Sequence, residues 1–159
     1  MKKYKYLKNR FLIEHTITNI FAVIIMFFSV YHILKGNLPI LMTLALISSL
    51  YSVINNFIYK VNTETIIIGK DEIAFESYNK KDNYRIEKIK QIKLKEYPTN
   101  GKIYVRLTDE NNKLHRYWIH THSFENGKEL FKELMYMEFH KHPDTLKARS
   151  RAESFSKTL

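Results

Sequence analysis

Two long apolar segments, one directly after the other, decide how this sequence folds. Residues 16–34 read TITNIFAVIIMFFSVYHIL, and residues 37–59 read NLPILMTLALISSLYSVINNFIY. Neither segment contains Asp, Glu, Lys or Arg. A bilayer core of about 30 Å is crossed by about 20 residues of α-helix, at 1.5 Å per residue. The segments, of 19 and 23 residues, therefore predict a transmembrane helical hairpin over residues 16–59, with a short turn at Lys35 and Gly36.

A soluble helical hairpin and a secretion signal fit this stretch less well. A soluble helix keeps a polar face at the helical period, and the run FAVIIMFF at residues 21–28 has none. A signal peptide has a shorter apolar run followed by a cleavage site of small residues, and no such site precedes the second segment. We therefore interpret the hairpin as a membrane anchor.

Basic residues are concentrated ahead of the hairpin. Residues 1–15 carry five of them against Glu14, whereas Lys35 is the only one in the loop. Lys and Arg beside a span stay on the cytoplasmic side. The pattern predicts a multi-pass protein of the cell membrane with both termini cytoplasmic. We interpret residues 1–15 as a basic juxtamembrane lead, whose Lys and Tyr side chains lie among the headgroups.

A change of period after residue 60 predicts a separate cytoplasmic domain over residues 60–142. Short β-branched or alternating runs, such as residues 64–68 and 103–107, are separated by turn-forming clusters at residues 79–83, 98–101 and 109–113. This pattern is typical of about six short antiparallel strands. A helix is predicted to follow, with Ser123 as its N-cap and its end near His142 because of Pro143. Its apolar stripe comprises Leu130, Phe131, Leu134, Met135 and Phe139. Residues 143–159 are predicted to be a basic polar tail.

Local phrases of the sequence carry a resemblance to a known group of proteins. They are IIIGKDEI at residues 66–73, IEKIKQI at residues 86–92, and Phe124 ahead of the last helix. With the order of the elements, they resemble small bacterial membrane proteins in which a two-helix hairpin precedes a PH-like domain. The resemblance implies an α+β domain, a PH-like antiparallel β-barrel or sandwich closed by a C-terminal amphipathic helix. It also implies a role in the cell envelope or in bacteriocin immunity, and it carries over no binding residues.

The sequence does not indicate catalysis or a bound cofactor. The absence of cysteine excludes thiolate nucleophiles and cysteine zinc sites, and four glycines with no Gly-rich loop argue against a nucleotide site. His120 and His122 have the spacing to share a strand face, and they would need a third ligand to hold zinc. His140 and His142 lie two apart on a helix and cannot share a metal from one face. We expect surface histidines, with no catalytic, cofactor or metal site.

A stripe of basic residues is the candidate contact surface. Lys93 and Lys95 alternate with Ile92 and Leu94, so they are predicted to face solvent. The stripe is either an ordinary solvated face or a site for anionic lipid headgroups or a protein partner. Nucleic acid is not expected, because residues 60–142 carry 16 basic and 13 acidic groups, a net charge of only +3. The candidate residues are Lys88, Lys90, Lys93 and Lys95, with Arg106 and Arg116 if their strands are neighbours.

Two functions remain open at this point. The first is a non-enzymatic, membrane-anchored PH-like module that binds lipid headgroups or a protein partner, in envelope maintenance or in immunity to a membrane-active peptide. The second is an accessory subunit of a membrane transport or conjugation complex. Small and polar residues mark helix contacts in lipid. The polar residues of the second span therefore indicate packing within the hairpin, or else self-association or a partner helix. For Tyr117 and Trp118 one side chain must point inward, and the strand period does not decide which. Trp118 would be an interfacial anchor if exposed, and we favour a core position for it.

Overall fold

The computed structural model describes residues 1–7, 9–97, 99 and 101–143. The predicted tail therefore lies outside the described residues, apart from Pro143. The helices are α1 (Thr18–Leu34), α2 (Pro39–Val53) and α3 (Gly127–Lys141). The strands are β1 (Lys2–Lys5), β2 (Thr65–Ile68), β3 (Glu72–Ser77), β4 (Lys80–Arg85), β5 (Gln91–Tyr97), β6 (Lys102–Thr108) and β7 (Leu114–His120).

The two apolar segments form an antiparallel pair of long helices. A π-helical turn at Leu12–Ile17 leads into α1, and another at Ile54–Ile58 extends α2. The continuous helices Leu12–Leu34 and Pro39–Ile58 have mean hydropathies of 2.1 and 1.6, so both are long and apolar enough to span a membrane. Only 11% and 6% of their apolar windows are buried, which is not how the core helix of a soluble protein is placed.

Polar residues hold the two helices together at their domain end. The side-chain oxygen of Asn19, a residue only 2% exposed, accepts hydrogen bonds from the Ser52 hydroxyl and the Asn56 amide, both at 2.9 Å. Ser49 is also buried in the hairpin. These polar groups therefore serve packing within the chain, as one of the two interpretations of the second span expected.

Strand β1 is an element that the sequence analysis did not predict. Lys2–Lys5 pairs antiparallel with Thr65–Ile68, and the backbone N–H of Tyr6 donates to Glu64 O at 3.0 Å. Tyr4 and Tyr6 lie in the core of the domain. The helical hairpin is thus inserted in the connection between two adjacent strands. The structure adds this strand to the predicted domain of residues 60–142, and residues 2–5 of the predicted lead belong to a sheet.

The rest of the chain forms two antiparallel sheets and one helix, an α+β arrangement. The sheets have the strand orders β1-β2-β3-β4 and β5-β6-β7. Their inward faces and the buried side of α3 enclose one core, in which Ile66, Phe75, Val105, Leu107 and Leu134 are at most 1% exposed. The predicted apolar stripe of α3 is confirmed by burial of Leu130, Leu134 and Met135.

Within the part of the chain that the structure describes, no barrel is closed, so the barrel alternative of the fold prediction is wrong. Other groups bond to the edges of the second sheet. At the β5 edge, the backbone N–H of Leu94 donates to Glu138 Oε1 at 2.9 Å and that of Ile92 to His142 Nε2 at 3.2 Å. At the β7 edge, the N–H of Trp118 donates to Val61 O at 2.7 Å. Both edges are therefore covered without pairing to the first sheet.

Two local predictions also need correction. The N-cap of α3 is Asn126, because Ser123 belongs to a preceding 3₁₀ turn, Thr121–Ser123. The helix ends at Lys141 with His142 as its C-cap, as predicted. The polar cluster at residues 79–83 is mostly strand, since β4 starts at Lys80 directly after the turn. Because β4 is a polar edge strand with little buried surface, its sequence resembles a loop.

Candidate functional site

The outer face of the second sheet, turned away from the core, gathers most of the predicted contact residues. The strand register places alternate residues of β5, β6 and β7 side by side on this face. The opposite face carries Ile92, Leu94, Val105 and Leu107, which are buried in the core. We call the side of the second sheet that is turned away from the core the outer face. It comprises Gln91, Lys93, Lys95, Tyr97, Lys102, Tyr104, Arg106, Thr108, Leu114, Arg116, Trp118 and His120.

A row of three basic residues crosses this face. Lys93 lies opposite Arg106, and Arg106 lies opposite Arg116. All three side chains are exposed. Among the described residues of the outer face none is Asp or Glu, so no carboxylate of the face separates the charges. Like charges directly opposite one another across strands are destabilising, and the row therefore carries a cost that an anionic partner would relieve.

An aromatic group lies next to the basic row. The Trp118 ring centroid is 4.9 Å from that of Tyr104 and 5.5 Å from that of Tyr97, and Lys95 Nζ lies 5.1 Å from the Tyr97 ring centroid. The expectation that Trp118 lies in the core is wrong. Tyr117 takes the core position, 4% exposed, and Trp118 is half-buried on the outer face. Trp and Tyr with basic neighbours are enriched at membrane–water interfaces.

The structure brings four of the six predicted residues together and separates the other two. Arg106 and Arg116 join Lys93 on neighbouring strands, as the sequence analysis required for their inclusion. Lys88 lies in the 3₁₀ turn before β5 and forms an ion pair with Glu110 at 3.0 Å. The ammonium group of Lys90 donates to Asn112 Oδ1 at 2.8 Å. Both are engaged with the β6–β7 turn.

One end of the outer face meets the base of the hairpin. The His120 ring centroid lies 4.9 Å from that of His15, at the start of the first long helix. The segment that leaves the second long helix runs beside β7, where the N–H of Thr63 donates to Trp118 O at 3.3 Å. At about 3.3 Å per residue along a strand, Trp118 is about 7 Å and Arg116 about 13 Å from His120. The outer face therefore begins at the hairpin.

A buried chain of hydroxyl groups lies behind the outer face and joins the two sheets. The hydroxyl oxygens of Tyr84 and Tyr117 are 2.5 Å apart, and the Tyr117 hydroxyl donates to Asp82 Oδ2 at 2.9 Å. The Tyr117 ring stacks on Phe75 with 4.1 Å between centroids. Burial raises the pKa of Tyr84 to about 12 and raises that of Tyr117 as well. Both phenols are therefore neutral at neutral pH, and they fix β7 against β4.

The histidines that the sequence singled out have different environments. His120 is half-buried and faces the hairpin, whereas His122 is exposed in the 3₁₀ turn. The two do not share one face as the spacing suggested, because β7 ends between them. His142 accepts a hydrogen bond from β5, and His140 stacks on Tyr136 with 3.7 Å between ring centroids.

Comparisons of this chain with protein-family models, with curated proteins and with solved structures found no match.

Proposed function

We propose that this chain is a non-enzymatic, membrane-anchored module whose domain binds anionic lipid headgroups through the outer face. The row formed by Lys93, Arg106 and Arg116 carries this proposal. It concentrates positive charge on one sheet face that carries no Asp or Glu of its own among the described residues, and Tyr97, Tyr104 and Trp118 adjoin it. Basic residues near an anionic membrane surface contribute about 1 kcal/mol each.

The connection between hairpin and domain supports a location at the membrane surface. β1 precedes the first long helix and β2 follows the second, and the two strands pair. The N-terminus and the domain must therefore lie on the same side of any membrane that the hairpin crosses. The five basic residues of residues 1–15, against Lys35 alone in the loop, favour the cytoplasmic side. We accordingly propose a bacterial cell-membrane protein with both termini inside.

We also propose that the domain is PH-like. Strands β1 to β4 form one antiparallel sheet, β5 to β7 form the next, and a C-terminal amphipathic helix packs on the shared core. This is the order of elements that the sequence resemblance implies, in an open sandwich. The headgroup surface proposed here is the outer face of β5, β6 and β7, and it does not depend on that resemblance.

The tether makes weak contacts effective. The backbone N–H groups of Trp118 and Thr63 bond the second sheet to the segment that leaves the hairpin, so the domain stays close to the bilayer. A tethered group binds as if its partner were present at millimolar concentration. Charge contacts that are too weak to recruit a free domain would therefore be occupied here.

The single tryptophan of the chain provides the test. Trp118 lies on the outer face, so its emission reports on that surface in the full-length chain. We would reconstitute the chain in nanodiscs of phosphatidylcholine, with or without phosphatidylserine, and measure the emission maximum and quenching by brominated lipid. We expect a blue shift and quenching in the anionic discs, and loss of both near 1 M salt, where the Debye length is about 3 Å.

Two double variants with the same change of charge make the test specific. Lys93→Glu with Lys95→Glu removes charge from the outer face and should abolish the anionic effect. Lys81→Glu with Arg85→Glu alters the first sheet and should leave it intact. Equal Trp118 quenching in neutral and anionic discs would refute headgroup binding. That result would favour a protein partner for the outer face, as in the alternative function of an accessory subunit.

A further inference from the structure

A second cluster, separate from the basic row, lies where the hairpin joins the domain. Glu14 and His15 are neighbours in the π-helical turn Leu12–Ile17, and His120 ends β7. Each offers one ligand atom, and the three atoms lie within 4.8 Å of one another. π-Helical turns occur frequently at functional sites, because the extra residue redirects side chains. Here the turn contains Glu14 and His15, whose ligand atoms both lie within 4.8 Å of that of His120.

The distances suit a small divalent ion. Zinc bonds of about 2.0–2.1 Å at tetrahedral angles place two ligand atoms about 3.3 Å apart. His120 Nδ1 lies 3.6 Å from Glu14 Oε2, beyond a hydrogen bond and close to that ligand separation. The rings of His15 and His120 meet edge to face, at 71°. A contraction of at most about 1.5 Å at the widest pair would complete the three-ligand set.

The surrounding groups orient these side chains. The Tyr6 hydroxyl donates to Glu14 Oε2 at 2.9 Å and lies 3.1 Å from His15 Nε2. The Ser123 hydroxyl is 3.1 Å from both carboxylate oxygens of Glu14. Hydrogen bonds of this kind to a carboxylate ligand are a regular feature of metal sites.

The protein encloses part of this cluster. His15 is 7% exposed, and Phe11 covers its ring with 5.1 Å between centroids. Glu14, with 34% of its side chain exposed, leaves a path for the ion and for a fourth ligand such as water.

We propose that Glu14, His15 and His120 bind one divalent transition-metal ion of the zinc class, which fastens the base of the hairpin to strand β7. No metal site was expected from the sequence. The partners of His120 in this cluster are Glu14 and His15, which lie more than 100 residues away along the chain, and not His122. A metal bond to His15 Nε2 would replace the 3.1 Å contact of that atom with the Tyr6 hydroxyl. The ion would fix the domain relative to the two long helices.

The test uses the full-length chain without a polyhistidine tag, in neutral nanodiscs after treatment with a chelator. Zinc is titrated by calorimetry, and cobalt(II) by its visible absorption, which is intense for tetrahedral coordination. We expect one ion per chain. Glu14→Gln, which keeps an oxygen acceptor for Tyr6 and Ser123, and His120→Gln should each weaken binding at least ten-fold. The matched control is His122→Gln, an exposed histidine two residues from His120.

Thermal unfolding provides a second measurement that does not depend on calorimetry. A ligand that binds only the folded state raises its melting temperature. Saturating zinc should raise it for the wild type and for His122→Gln, and should not raise it for His120→Gln. No zinc binding by the wild type would overturn the proposal. Binding that His122→Gln weakens as much as His120→Gln does would also overturn it.

Discussion

The two sheets differ in the arrangement of charged residues on the side turned away from the core. On the first sheet, Glu76 lies opposite Lys81 with an ion pair at 3.2 Å, and Glu72 lies opposite Arg85. On the second sheet, Lys93, Arg106 and Arg116 lie in one row. The first pattern is what a sheet facing water adopts, because opposite charges across strands are stabilising. In the second pattern, basic residues lie opposite one another, and no acidic residue on the same face of the sheet reduces their repulsion.

The first sheet also forms ion pairs with a neighbouring helix. Lys2, in β1, forms ion pairs with Glu129 at 2.8 Å and Glu133 at 2.6 Å, both on α3. The net positive charge of the domain is therefore not spread evenly, although its numbers of basic and acidic residues are nearly balanced. The basic row lies on a face that has no Asp or Glu of its own among the described residues, and that face begins at the hairpin.

The largest effect is expected from removing β1 from the first sheet. A fragment of residues 62–143 lacks Tyr4 and Tyr6, which are 4% and 6% exposed. Loss of a buried aromatic side chain costs about 3–5 kcal/mol, and two such losses approach the whole stability of a small domain, about 5–15 kcal/mol. We expect no cooperative melt by circular dichroism.

A second version of that fragment is the control. Residues 1–7 joined through Gly-Asn-Gly to residues 62–143 restore β1 by a short turn, since Tyr6 N and Glu64 O are already bonded. This version should melt cooperatively. A cooperative melt of the fragment without β1, at the same temperature, would show that the first sheet does not need its N-terminal strand.

The next largest effect concerns α3, which packs on the core between the two sheets. Leu134→Asp would place an unpaired charge at a position that is 0% exposed, at a cost of several kcal/mol. Lys132→Asp, on the exposed side of the helix, introduces the same residue and should change the melting temperature little. If the two variants of the full-length chain melt alike, α3 is not part of the core.

Alkaline pH should weaken the link between the sheets. The folded pKa of Tyr84, about 12, is raised above its unfolded value of about 10. Its contribution is therefore fully present below pH 10 and is lost as the pH rises toward 12. We expect a loss on the order of 1–2 kcal/mol across this range, after a discount for partial exposure.

Denaturant midpoints of the wild type and of Tyr84→Phe, compared at pH 8 and pH 11, measure that contribution. The variant should lose some stability at pH 8, because Tyr117 loses a hydrogen-bond partner. Its further fall toward pH 11 should be smaller than that of the wild type. Parallel pH curves for the two proteins would contradict the assignment.

The smallest change in stability is expected from reversing one charge on each sheet. Arg106→Glu puts a carboxylate between Lys93 and Arg116, and we expect it to stabilise the domain by about 0.2–1 kcal/mol. Glu76→Lys makes the opposite change on the first sheet, next to Lys81, and should destabilise it by a similar amount. Denaturant midpoints provide the measurement. A destabilising Arg106→Glu would mean that the basic row carries no unfavourable repulsion.

Much of the second sheet could be predicted from its sequence, and much of the first could not. The alternation of Ile92 and Leu94 with Lys93 and Lys95 predicted the exposed lysines correctly, because a strand buried on one face has a period of two. The same rule could not choose between Tyr117 and Trp118, because both are large aromatic side chains. Strand β4 was missed where its polar side chains carry no alternation.

The candidate sites show the same division. The basic stripe was visible because its lysines follow one another along the chain. The cluster of Glu14, His15 and His120 was not visible, because His120 lies far in sequence from the adjacent Glu14 and His15 and no local period connects them. His122 seemed a better companion for His120 by spacing, until the 3₁₀ turn after β7 separated the two.

The sequence by itself determined the apolar hairpin, the positions of most strands and the C-terminal helix, because hydrophobic periodicity and turn residues are local signals. Only the tertiary structure decided that residues 2–5 pair with residues 65–68 across the hairpin, that the sheets stay open, and that basic residues of three strands form one row. The pairing of distant strands depends on the whole core that they share, since a four-residue polar and aromatic strand carries too little local preference to select its partner.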